Sequence, residues 1–212
     1  MEFETEEQQV EALKKWWKEN GKQVVVGAVI GFGLIIGWRY YLDYSEKQAA
    51  QASALFEQVI QSEGSENVDK SAVYEKLKAN YSSTPYSSAA ALVVAKSFYL
   101  DGEKEKAISV LNEVIANSKL DVVGQVAIER KVRVLIDLGK ADDALTALNV
   151  EVLPGFEAIF AELTGDAHVL KGDFYKARLS YDKALLLNQS ASKRLLQMKR
   201  DNLGNEAADS AA

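Results

Sequence analysis

The sequence predicts an all-α protein, with a single N-terminal transmembrane helix followed by a helical solenoid of helix-turn-helix units. Three observations lead there. Residues Val24 to Trp38 form an apolar run without a charge. Glycines recur at Gly102, Gly139 and Gly172, 37 and 33 residues apart, the period of helical-hairpin repeats. Only two prolines occur in 212 residues, and proline is a residue that punctuates loops and turns.

Composition narrows the function. The chain carries 25 Lys+Arg against 31 Asp+Glu, a net charge of −6. That balance argues against nucleic-acid binding. With no cysteine and one histidine, there is no disulfide framework, thiolate site or multi-histidine metal site. A hydrophobic share of 48% is that of a folded chain.

The run VVVGAVIGFGLIIGW covers roughly 22 Å as a helix, and Arg39 to Leu42 extend it to roughly 28 Å, close to the ~30 Å hydrocarbon core. Trp38, Tyr40 and Tyr41 form an aromatic belt, and Arg39 can snorkel. The rivals are a buried core helix and a signal peptide. The first needs a polar face, which is absent; the second needs a small-residue cleavage site directly after the run, where WRYYLDY stands. Lys14, Lys15, Lys18 and Lys22 precede the span, and only Arg39 and Lys47 follow it closely, which places the N-terminal tail in the cytoplasm. In that tail Val10, Leu13, Trp16 and Trp17 make an amphipathic helix that rests on the inner leaflet, ending at Asn20-Gly21. Inside the span, Gly27/Gly31 and Gly33/Gly37 are two small-xxx-small pairs. They serve two helix contacts, or they reflect the general frequency of glycine in membrane helices.

Beyond Asp43 the chain reads as short amphipathic helices. Five residues after each recurring glycine stands an alanine, Ala107, Ala144 and Ala177; nine after stands a large residue, Leu111, Leu148 and Tyr181. Seven before stand Ala95, Val132 and Gly165; four before stand Phe98, Leu135 and His168. Glycine ends the first helix with a left-handed turn. Small residues then let the second helix approach closely. The pattern resembles the tetratricopeptide repeat, with the third unit, GDAHVLKGDFYKARLSYDKAL, the best match and the first two degenerate. Glu151 stands where the second unit's last alanine belongs. A further helix pair is expected over 45–85, closed by Pro85, and a capping helix over Ser190 to Leu203.

No constellation points to catalysis. His168 takes an aromatic's place in the repeat, so it reads as a packed core imidazole. Adjacent Asp142 and Asp143 diverge by about 100° on a helix and form no carboxylate dyad. Asn80-Tyr81-Ser82 and Asn188-Gln189-Ser190 fit the weak glycosylation pattern. The expectation is a protein that is not an enzyme and needs no cofactor or metal. The groove-facing candidates, placed by analogy with the repeat, are Lys96, Tyr99, Glu129, Arg133, Ile136, Asp166 and Val169. Lys96 and Arg133 can engage carboxylates and Tyr99 can stack; the alternative is an ordinary solvated face.

An acidic start running into EQQVEALKKWWKENGK, a Gly-rich span ending GWRYY, and QMKRDNL at Gln197 to Leu203 are together similar to the bacterial YfgM family, the ancillary subunit of the SecYEG translocon. The resemblance covers essentially the whole chain. The residues divide the chain into a cytoplasmic tail at 1–21, a transmembrane helix at 22–42, a tetratricopeptide-like domain at 43–204 and a disordered tail at 205–212; the resemblance implies that the repeat domain is periplasmic. It also implies an inner-membrane location and association with SecYEG and with a PpiD-like periplasmic chaperone. Newly translocated chains would be handed onward, with a link to envelope stress. The rivals are a structural scaffold for envelope assembly and an envelope-stress regulator acting through the cytoplasmic tail.

Overall fold

The computed structural model describes residues 6–61, 69–118, 121–187 and 193–204. Among these residues there are nine helices and no strand. The chain divides into two compact units, residues 1–50 and 51–212.

The first unit is the leading part of α1 (Glu6–Gln61), the one helix among the described residues long and apolar enough to cross a membrane. Its apolar side chains face outward: Val29, Phe32, Leu34 and Ile36 are all about two-thirds exposed. An exposed apolar surface on this scale is what a membrane-spanning helix presents to lipid. The helix does not stop at Asn20-Gly21. Asn20 Nδ2 donates to the Trp16 carbonyl at 3.1 Å. The Trp17 ring lies over Gly21, within 3.1–3.2 Å of where a Cβ would stand. Both devices work inside a helix, and glycine there costs only about 1 kcal/mol relative to alanine.

The second unit begins with the end of α1, whose Ala52 and Val59 are fully buried. There Phe56 meets Tyr86 with ring centroids 6.0 Å apart, and the Tyr81 hydroxyl donates to Gln51 Oε1 at 3.0 Å. α2 (Lys70–Tyr81) follows, its N-terminus capped by Asp69 on the Ala72 amide. Pro85 does not close this pair; it opens α3 (Pro85–Leu100) at the first turn. A proline loses nothing there, since that N–H has no helical partner.

Three hairpins then repeat one construction. They are α3 with α4 (Lys104–Asn117), α5 (Asp121–Asp137) with α6 (Ala141–Leu148), and α7 (Glu157–Leu170) with α8 (Phe174–Leu187). Gly102, Gly139 and Gly172 sit at φ +80°, +75° and +74°, the left-handed region that a side chain disfavours. The amide after each glycine reaches back to Phe98, Leu135 and His168 carbonyls, at 2.8, 2.9 and 3.0 Å. This is the Schellman closure in triplicate. Ala107, Ala144 and Ala177 are each fully buried where the second helix meets the first.

The third hairpin is the tightest. A Cβ on Gly165 would stand 2.4 Å from Tyr181 Cε1, so only hydrogen lets the ring in. The second hairpin is cut short: α6 ends at Leu148, and Glu151 lies beyond it, its carbonyl accepting from Gln125 Nε2 at 2.8 Å. The repeat's missing alanine is therefore missing helix. α9 (Lys193–Asp201) caps the stack through Leu196, which is 1% exposed. Residues 190–192 of the expected cap, the Asn188 glycosylation pattern and the 205–212 tail lie outside the described residues.

Candidate functional site

Equivalent positions on the first helices of the hairpins carry the site. Six residues before the glycines stand Lys96, Arg133 and Asp166; three before stand Tyr99, Ile136 and Val169. The structure brings Lys96, Tyr99, Glu129 and Arg133 together in one cavity of about 460 Å³ between α3 and α5. Its floor is apolar, from Ala95, Leu111 and Val134. Arg130 completes the rim and is anchored by donating to the Leu92 carbonyl at 3.1 Å. The lining holds three cations and one carboxylate, so it favours an anionic guest.

The rim is held in place locally. Arg133 Nε donates to Glu129 Oε1 at 2.6 Å, one helical turn away. Arg133 is half exposed, and its fork geometry suits a second carboxylate. The Tyr99 hydroxyl donates to Asp137 at 3.3 Å; the same carboxylate takes Lys104 at 2.5 Å. The hydrogen bond from Lys104 keeps the Asp137 carboxyl below its ordinary range. Lys104 also stands 5.9 Å from the Tyr99 ring centroid, which fixes the ring's orientation.

The other three candidates lie elsewhere. Ile136 packs, partly buried, against the core around Val132 and Phe160. Val169 packs against the core around Tyr181 and Leu196. Asp166 is engaged within the fold. It takes the Tyr181 hydroxyl at 2.7 Å and Lys199 at 2.8–2.9 Å, while Lys199 also reaches Glu162 at 2.8 Å. Burial and the hydrogen bond to Asp166 push the Tyr181 phenol well above its usual range. Gly27, Gly31, Gly33 and Gly37 have open space where a Cβ would stand, so they are notches on the surface of α1.

A second cavity, about 370 Å³, lies among Tyr74, Lys78, Ser82, Ser83, Ser87, Ser88, Glu113 and Asn117. Glu113 accepts from Tyr74 at 2.9 Å and pairs with Lys78 at 2.7 Å. The hydrogen bond from Lys78 lowers the Glu113 carboxyl, and burial raises the Tyr74 phenol. The sequence analysis did not find this cavity. The only signal was the serine run around Pro85, which reads as a turn. His168 is half-buried, and its Nδ1 has no partner among the described residues. Desolvation lowers its pKa, so the neutral imidazole is favoured.

Helical hairpins joined at left-handed glycines, in a chain that also carries a long apolar N-terminal helix, define a membrane-anchored tetratricopeptide-like protein. The tetratricopeptide repeat-like domain family matches residues 14–205. A protein of Haemophilus influenzae, an ancillary SecYEG translocon subunit, is 35% identical over 198 residues, covering 93% of this chain and 97% of its own. One of the same description from Escherichia coli is 33% identical over 202 residues, covering 95% and 98%. A third, from Neisseria gonorrhoeae, is 27% identical over 206 residues, covering 93% and 97%. The chain belongs to the family of ancillary SecYEG translocon subunits and carries a tetratricopeptide repeat-like domain. No solved structure matches it significantly.

Proposed function

We propose that this protein is an inner-membrane adaptor of the SecYEG translocon. Its repeat domain lies in the periplasm, where it receives a PpiD-like chaperone or an emerging chain and performs no chemistry of its own. The observation that carries the reading is the α3/α5 cavity, in which Lys96, Tyr99, Glu129 and Arg133 surround an apolar floor. Such a site takes an apolar side chain flanked by a carboxylate. The relatives' description as translocon subunits supports the translocon as the place of action. The lysine-rich flank before the span supports a cytoplasmic N-terminus. Gly27/Gly31 and Gly33/Gly37 offer close approach for helices of the channel. Tethering raises the effective concentration toward millimolar for short linkers, so each contact can be weak.

The test is in-cell photo-crosslinking with probes at Tyr99, Arg133 and Gly33, the products identified by mass. Channel subunits from Gly33 and a chaperone or nascent chains from the groove are expected. Lys96→Glu with Arg133→Glu should abolish the products of the Tyr99 probe while the circular dichroism spectrum stays helical. Unchanged groove products would sink the groove assignment. Envelope-assembly proteins, with nothing from Gly33, would replace the adaptor by a scaffold.

A further inference from the structure

The C-terminal end of the repeat domain differs in surface chemistry from the rest of the chain. Residues 174–204 hold seven cations and two carboxylates, a net +5; the remaining residues hold 18 and 29, a net −11. Apolar exposure gathers at the same end. Of thirteen exposed large apolar side chains described in the second unit, eight fall between Leu170 and Met198. Neither α4 nor α6, the corresponding second helices of the earlier hairpins, contributes one. Three on α8 form a ridge. Tyr175, Leu179 and Leu186 are 60%, 53% and 86% exposed. They lie within about 40° of one another around the helix and extend about 16 Å along it. Lys183 stands on the same side of α8, and α9 adds Lys193 and Arg194; all three are exposed and without an ion-pair partner among the described residues.

We infer that this end is a second docking surface, distinct from the α3/α5 groove, and that it takes an acidic amphipathic helix of a partner protein. A ridge of i, i+4, i+11 apolar side chains packs into the grooves of another helix. The solenoid itself shows the geometry, since each hairpin buries such faces against the next. These exposed cations set the sign of the guest. A second copy of this chain is disfavoured, because a two-fold contact would set Lys183, Lys193 and Arg194 against themselves. An anionic membrane surface is disfavoured by the lack of tryptophan there, and the one carboxylate beside the ridge, Asp182, is offset by its ion pair with Arg200 at 3.0 Å.

The experiment uses the full chain in its membrane, with a photoreactive probe at Leu179 or Leu186 and the adduct peptides sequenced by mass spectrometry. Adducts with a helix bearing apolar residues at three- and four-residue spacing and flanking Asp or Glu are expected. Lys183→Glu, Lys193→Glu and Arg194→Glu together should lower the yield roughly tenfold. A probe at Tyr99 should keep its own products, which separates this surface from the groove. Lipid adducts, adducts with a second copy, no adducts above background, or a yield indifferent to charge reversal would each overturn the inference.

Discussion

The seam between α3 and α5 and the seam between α7 and α9 use the same register and end differently. Lys96, Arg133 and Asp166 are equivalent by their distance from the hairpin glycine, as are Glu129 and Glu162 four residues earlier. In α5, Glu129 and Arg133 pair within one helix and leave a cavity open toward α3. In α7, both positions are acidic, and Lys199 of the capping helix bridges them. One cation supplied from the next helix turns an open seam into a structural clasp. Register alone does not fix which seam stays open; the residue opposite decides.

Five single substitutions sharpen this contrast. The largest effect is expected from Gly165→Ala. Its methyl group would collide with a Tyr181 ring that is 2% exposed and tied to Asp166. After the helix-propensity gain of alanine, the loss should be about 2 kcal/mol. Chemical denaturation checks it, and adding Tyr181→Leu should recover much of the loss; a neutral single mutant would refute the tight approach.

Lys199→Met should cost about 2 kcal/mol, because Glu162 and Asp166 lose their charged donor where they are largely sheltered. Arg133→Met, at the half-exposed equivalent pair, should change stability by less than about 0.5 kcal/mol. Equal losses in the two mutants would erase the distinction between clasp and groove.

Tyr181→Phe should cost about 1 kcal/mol, the worth of one hydrogen bond. A double-mutant cycle with Lys199→Met should show coupling through Asp166, and strict additivity would argue against it.

The smallest effect concerns pH. The His168 pKa is lowered in the fold, so the unfolded chain binds a proton first as pH falls. Stability from this residue is complete above the ordinary imidazole range of about 6.5 and is lost as pH drops below it. His168→Phe should flatten the stability profile between about pH 7 and 5. Identical profiles for parent and variant would remove the role.

The alignment of Gly102, Gly139 and Gly172 with Ala107, Ala144 and Ala177 made the hairpins legible, because a left-handed turn and a close approach each admit few residue types. The groove was legible in part. Lys96, Tyr99, Glu129 and Arg133 could be placed by counting from those glycines, and they converge. The same count put Asp166 on the groove, but its partner Lys199 stands 33 residues away, and no local pattern announces a pairing at that distance. The serine-lined cavity was invisible for a related reason. Its wall joins α2, the α2–α3 turn, the start of α3 and α4, and only folding brings them together.

By itself the sequence determined the apolar helix, the hairpin register and the absence of a cysteine or multi-histidine site. Each follows from residue type and spacing along one chain segment. Tertiary structure decided that α1 continues through Asn20-Gly21, that α6 stops short, that α9 closes one seam while another stays open, and that Tyr175, Leu179 and Leu186 remain uncovered. Those outcomes depend on which side chains meet across helices, and the free energy of such a meeting belongs to the pair rather than to either residue's position in the chain.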